Sequence, residues 1–262
     1  MNVNELLLDR IRFAQMAKLD TGELIGRLTS IEDPSLQTTA EGEEITDAVG
    51  ATITTIYRSK KAKFTGTNSL ISLDLLAMQY GTEKNVATSS AKITAPYSEI
   101  VEVQDVSGTP TLTLKYVPKG EIKFIYKMNN RDFATTYTSA STAAEGKFVL
   151  DGANKKITLA SGETGKFFVT YEYETAEAIS VDNKTSNFPT SCALTVFAYF
   201  RDPCDDNIKY SGAIVTNKAK LNPESIELAL TSTGKHPFEF NIEQDYCDET
   251  NDSLFSVIIT AD

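Results

Sequence analysis

The stretch from Ala62 to Gly81, AKFTGTNSLISLDLLAMQYG, is the part of this chain with clear helical spacing, in a sequence that otherwise alternates like β-strand. After a break at Gly66–Thr67–Asn68, Leu70, Leu73, Ala77 and Tyr80 recur three and four residues apart. Ile71, Leu76 and Met78 widen that apolar face. Leu70, Leu73, Ala77 and Tyr80 are therefore the expected core-facing side of a helix. Thr67, Asn68 or Ser69 offers an oxygen to cap the first turn, and Gly81 offers the left-handed residue that commonly ends one. One amphipathic helix in a β-rich chain has to cover the open face or edge of a sheet.

On the N-terminal side, IRFAQMAKLD and ELIGRLTSIED flank the turn signal Asp20–Thr21–Gly22. They place strands near 12–19 and 23–31 after a short flexible or helical start. Residues 4–17 also admit a helix through Leu7, Leu8, Ile11 and Ala14. Pro34 ends the second run because it has no N–H to give a ladder. Residues 35–51 are polar, glycine-punctuated and without period, and so read as a long loop. Glu41, Glu43, Glu44 and Asp47 make that loop acidic, while the strand expected from Thr52 to Phe64 carries Arg58, Lys60, Lys61 and Lys63. Either both clusters are simply solvated, or the acidic loop of one copy meets the basic strand of another and steers assembly.

Residues 82–98, rich in Thr, Ser and Ala and containing Pro96, read as a connector. From Glu99 to about Ser180 short strands alternate with turns: EIVEV, TLTLKYV, EIKFIYKM, KFVL, KITLA and KFFVTYEYE. That spacing points to a small immunoglobulin-like sandwich, though without the Cys…Trp…Cys pattern, since the chain has no Trp. Long strands return from Phe188: CALTVFAYFRD, NIKYSGAIVTNKAKL, SIELALTSTG, HPFEFNIEQD and SLFSVIITA. Ile226, Leu228 and Leu230 alternate with Glu227, Ala229 and Thr231, and Phe238, Phe240 and Ile242 repeat the pattern, which calls for a sheet with one buried face.

At 262 residues the chain is long enough for one or two domains with a sizeable core. No uninterrupted apolar window approaches the length of a membrane-spanning helix. The start, MNVNELLLDRIRF, lacks the pattern of a secretory signal. Cys192, Cys204 and Cys247 are odd in number and widely spaced, which argues against a disulfide framework and for synthesis in a reducing compartment. The net charge of −11 is concentrated late: residues 181–262 hold 6 basic and 13 acidic side chains, against 10 and 12 in residues 1–96. Such a surface argues against tight nucleic-acid binding, which needs Lys and Arg on phosphates.

The sole histidine, His236, sits in a Gly-Lys-His-Pro turn with no nucleophile signature near it. Asp202, Asp205 and Asp206 around Cys204, and Asp245, Asp248 and Glu249 around Cys247, match neither EF-hand nor zinc spacing. No phosphate-binding or zinc-protease motif occurs. The expectation is a protein that is no enzyme and holds no cofactor or metal.

Three blocks together, TGELIGRLTSIED, SKKAKFTGTNSLISLDLLAMQYG and LTSTGKHPFEFNIEQDYC…LFSVIITAD, resemble the major tail (tail tube) proteins of tailed bacteriophages. The resemblance covers the first and last thirds of the chain. It implies a mainly β fold, a tail-tube-type β-sandwich or barrel with one flanking helix, formed by residues 1–96 and 181–262. Residues 97–180 would be an inserted immunoglobulin-like β-sandwich. It further implies hexameric rings stacked into a tube in the virion, assembled in the host cytoplasm without membrane insertion. The partners implied are other copies, a tape-measure protein and DNA passing through the bore without specific binding, terminator and baseplate proteins, and in some tails a sheath. An acidic bore would repel DNA phosphates, so part of the C-terminal acidic excess is expected to face it. The loop at 35–51 would contact the neighbouring ring. The other readings are a different tail ring or baseplate subunit, and a surface glycan-binding β-module.

Overall fold

A computed structural model describes residues 5–261 except 206, 225, 229–233 and 247–251. The fold is mainly β with one short helix. The chain folds into two compact units, residues 1–84 with 181–262, and residues 85–180.

The first unit begins with β1 (Leu7–Lys18), β2 (Leu24–Leu28), β3 (Ile31–Thr46), β4 (Thr52–Asn68) and α1 (Leu73–Gln79). The second holds β5 (Asn85–Val86), β6 (Ile93–Glu102), β7 (Gln104–Val106), β8 (Thr109–Thr113), β9 (Phe124–Asn129), β10 (Asp132–Thr136), β11 (Thr138–Ser139), β12 (Lys147–Asp151), β13 (Lys156–Thr158), β14 (Lys166–Thr175) and β15 (Ile179–Ser180). The chain then returns to the first unit with β16 (Ser191–Arg201), β17 (Lys209–Leu221), β18 (His236–Ile242) and β19 (Ser256–Ala261).

In the first unit one sheet runs β2-β1-β16-β17-β18-β4-β3, with β19 paired to β17 beside that path. The alternation of β16 sends Cys192, Leu194, Val196 and Ala198 inward, and β18 does the same with Phe238, Phe240 and Ile242. Ala14 and Met16 of β1 share a core with Phe64 of β4, so the sheet closes over on itself. Each fully buried side chain of Leu or Phe size contributes about 1.5–3 kcal/mol.

The helix covers this core but not in the expected register. Residues 62–68 belong to β4, where Ala62–Asn68 pairs with β18, so the helix starts later and is two turns long. Its cap is Ser72, whose Oγ accepts the Leu75 N–H at 3.2 Å, rather than Thr67, Asn68 or Ser69. The buried face is Leu75, Ala77 and Gln79. Leu70 precedes the helix and is 60% exposed, Leu73 is exposed, and Tyr80 is half-buried, which leaves Ala77 as the buried member of the expected four. At the other end Gly81, at φ 61°, donates to Met78 O at 3.1 Å and Thr82 to Ala77 O at 2.9 Å, a Schellman closure. A Cβ on Gly26 would sit 2.8 Å from Asp74 Cβ, so β2 and α1 approach this closely because residue 26 is glycine.

His236 sets the helix register. It is fully buried at the start of β18; its Nδ1 accepts the Ser72 N–H at 3.3 Å. That leaves the proton on Nε2, 2.7 Å from Gln79 Oε1, while Gln79 Nε2 donates to Pro237 O at 3.1 Å. One neutral ring thus ties the cap and the last turn of α1 to the sheet.

Three further expectations change. Residues 4–17 hold no helix among those described, since β1 begins at Leu7. Pro34 does not end a strand: it lies at a bulge of β3, an edge strand where a missing N–H costs no ladder bond. The connector expected at 82–98 contains β5 and the first half of β6. Ile226 and Leu228 lie in irregular backbone, and Ala229, Leu230 and Thr231 fall outside the described residues.

The second unit stacks a four-stranded sheet, β10-β9-β14-β6, on a five-stranded one, β11-β12-β13-β8-β7. Phe167, Val169 and Tyr171 from β14 meet Leu112, Phe148 and Ile157 from the facing sheet. The phenols reach carboxylates: Tyr171 donates to Glu99 at 2.8 Å and Tyr137 to Glu163 at 2.6 Å. Burial, then the neighbouring carboxylate, pushes both hydroxyls well above the usual phenol range.

Burial holds His236 below its ordinary value of 6.5. Above that value both folded and unfolded chains carry a neutral ring. As pH falls below it, the unfolded chain takes up a proton that the folded chain refuses, so stability drops until the folded value is passed. Urea unfolding is expected to give a lower midpoint at about pH 5.5 than at pH 7, and His236→Gln to flatten that difference. Equal midpoints in the unsubstituted protein would contradict this.

Candidate functional site

The residues expected to form a loop, 35–51, instead complete a long hairpin with the basic strand. β3 and β4 pair from Ile31↔Asn68 out to Thr46↔Thr52. The turn is built by Asp47, whose Oδ1 accepts the N–H of Val49 at 2.9 Å and of Ala51 at 2.8 Å. Gly50 at φ 87° adopts the left-handed conformation that the turn requires.

At its base the hairpin is anchored: Ala62 and Phe64 are buried and Leu36 packs on the same core. Beyond it both faces lie in water, with every residue from Gln37 to Thr54 exposed. This explains the missing period, because alternation appears only where one face is buried. Apolar side chains sit out there all the same: Ile45, Ile53, Ile56, Tyr57 at 72% exposure and Val49 at 88%. An isolated two-stranded ribbon is marginal in water, and a concentration of exposed apolar side chains marks a contact surface.

The eight charged residues singled out above are brought together on this one hairpin. Lys61 Nζ lies 3.0 Å from Glu41 Oε1 and Arg58 Nη2 3.5 Å from Glu43 Oε2, both across the strands of a single chain. Glu44 accepts from Thr52 Oγ1 at 3.4 Å, Asp47 is occupied by the turn, and Lys63 reaches Glu239 on β18 at 3.4 Å. Lys60 has no ion-pair partner among the described residues. The acidic and basic groups therefore meet first within a chain. These pairs are exposed and so weak and exchangeable.

The other polar candidates have local duties. Cys192 is buried, which pushes its thiol up to about 12, far from reactive thiolate. Asp202 accepts the Cys204 N–H at 2.8 Å and Asp205 the Asn207 N–H at 3.0 Å, ordinary turn chemistry. Asp206, Cys247, Asp248 and Glu249 lie outside the described residues. Among the described residues no group of three or more His, Cys, Asp or Glu is placed to hold a metal, and no helix is long and apolar enough to cross a membrane.

The molecule is thus a two-unit, mainly β scaffold whose first unit carries a long hairpin, its outer part uncovered by the described residues of that unit. Its sequence matches the model of the YomU/Tube protein family over residues 7–254, and the chain belongs to that family of tube-type structural proteins. The curated proteins contain no match to it.

Because the cross-strand pairs of the hairpin are solvated, Arg58→Ala and Lys61→Ala are each expected to leave the unfolding midpoint of the free subunit unchanged within error. A clear drop in either would mean that the hairpin's charges stabilise the fold itself.

Proposed function

We propose that this chain is the tube subunit of a bacteriophage tail, whose copies close into sixfold rings that stack around a bore. The hairpin carries the reading: a family of tube proteins, and an arm that exposes Ile45, Val49, Ile53 and Tyr57, are both accounted for if the arm packs on another copy. Residues 41–47 and 58–63 then act twice, pairing within the hairpin and exchanging partners between subunits. The bore serves genome ejection and houses a tape-measure protein during assembly. Carboxylates of the last third keep passing DNA from adhering, since like charge repels phosphate. Terminator and baseplate proteins, and a sheath where the tail contracts, bind the ends and outside of the tube. The unit at 85–180 is the immunoglobulin-like insertion of this scheme. The role is architectural and calls for no catalytic group or cofactor.

Replacing Glu44–Thr55 by Asn-Gly shortens the hairpin at a paired position and leaves its anchored base intact. The shortened subunit is expected to keep the circular dichroism of the parent yet remain unassembled in negative-stain images, where the parent forms sixfold rings and tubes. Tubes from the shortened chain would remove the hairpin from the contact. Isolated rings from the parent that never stack would favour a baseplate or other ring subunit.

A further inference from the structure

Four of the chain's six arginines gather in one region of the first unit: Arg10 and Arg12 on β1, Arg27 on β2 and Arg201 on β16. The inward face of these strands holds Ala14, Met16, Leu194 and Val196, so the alternation turns Phe13, Phe197 and Tyr199 to the opposite face. There the arginines lie over the rings. Arg27 Cζ stands 3.9 Å from the Phe13 centroid, Arg12 Cζ 4.7 Å from that of Tyr199, and Arg10 Cζ 5.5 Å from the same ring. Phe13 and Phe197 pack with centroids 4.6 Å apart.

The carboxylate of this region, Asp9, is taken by Arg201 at 2.9 Å, with Arg10 at 3.9 Å. Arg12 and Arg27 are exposed and form no ion pair among the described residues. The rings hold these guanidinium groups by cation–π attraction, and their N–H donors can still take a carboxylate. Arginines over half-buried aromatics are the composition of protein–protein hot spots, and here they stand out from a chain of net charge −11.

The complement is on the same chain. Residues 43–57, EEITDAVGATITTIY, carry Glu43, Glu44 and Asp47 with no basic residue, together with the five exposed apolar side chains of the hairpin. The hairpin is built from β3 and β4 at one end of the strand path and the arginine–aromatic face from β2, β1 and β16 at the other, so the two surfaces share no strand and are unlike. Unlike complementary surfaces on one chain join copies head to tail, the geometry that produces rings and filaments.

We infer that the arginine–aromatic face of β1, β2 and β16 receives the hairpin tip of a second copy. Glu43 and Glu44 of one subunit meet the forks of Arg12 and Arg27 on the next, and Ile45, Val49 and Ile53 settle on Phe13, Phe197 and Tyr199. This rests on the self-assembly reading and adds to it the surface on which the arm docks.

A reciprocal charge swap tests it. R12E/R27E reverses the face and E43K/E44K reverses the tip; all four side chains are exposed, so both variants should keep the parent's circular dichroism. Each alone sets like charge against like and is expected to raise the concentration needed for polymer, read by sedimentation, at least about tenfold. Mixed one to one, each reversed tip meets a reversed face, and polymer should return. Polymer from R12E/R27E alone at the parent's threshold overturns the inference, as does a mixture that stays unassembled. A parent chain that never polymerises overturns the self-assembly reading beneath it instead. Independently of any folding effect of the swaps, a photo-crosslinker at Val49 in the otherwise unchanged protein should capture peptides of β1, β2 or β16 from another copy; capture confined to other strands also overturns it.

Discussion

A hairpin that outruns its core is the constraint from which the rest of this molecule follows. A strand pair gains stability by burying a face, and β3 and β4 do so only at their base, where Leu36, Ala62 and Phe64 join the core. Farther out the ribbon keeps its cross-strand bonds and a turn closed by Asp47, yet has no apolar surface among the described residues of its own unit to lie against. Its cross-strand ion pairs are solvated and weak, and they bury none of it. The exposed isoleucines, Val49 and Tyr57 are costly in a free subunit and useful in a polymer, which is the assembly proposed for this member of the YomU/Tube family.

What keeps the base of the arm in position is a neutral histidine. His236 lies directly across from Asn68, the last residue of β4, and accepts from Ser72 while its other nitrogen faces Gln79. Asn68 is itself buried and donates to Leu70 O, so the chain leaves β4 and enters α1 through a set of satisfied polar groups. Buried polar groups with all partners present fix one register where apolar contacts would tolerate several. The sheet end, the helix start and the root of the hairpin are thereby set by neighbouring bonds.

Legibility in the sequence followed burial. Phe238, Phe240 and Ile242 alternate because one face of β18 is core, and the strand was evident from that pattern. The short strands of the second unit were readable for the same reason, with Phe167, Val169 and Tyr171 turned inward. Residues 35–51 looked like a loop because a strand exposed on both faces carries no period to read. Spacing alone places the helix in the wrong register because its start depends on His236, distant in sequence, while β4 claims Ala62–Asn68 through pairing with β18. The four-residue face chosen from spacing therefore kept only Ala77 in the core. The eight charged residues of the hairpin stand out in the sequence, but their meeting across one hairpin does not, since it needs the register of β3 on β4. Arg10, Arg12 and Phe13 are adjacent in sequence; their kinship with Phe197 and Tyr199 appears only when β1 pairs with β16.

The central claim is that the outer hairpin is uncovered in the free subunit and covered in the assembly. Hydrogen–deuterium exchange of backbone amides in residues 43–57, followed in the dissociated subunit and in the assembled tube, measures this directly. The account predicts exchange slowed at least about tenfold on assembly, with the amides of β18, already inside a core, changing little. Equal exchange of residues 43–57 in both states would contradict it.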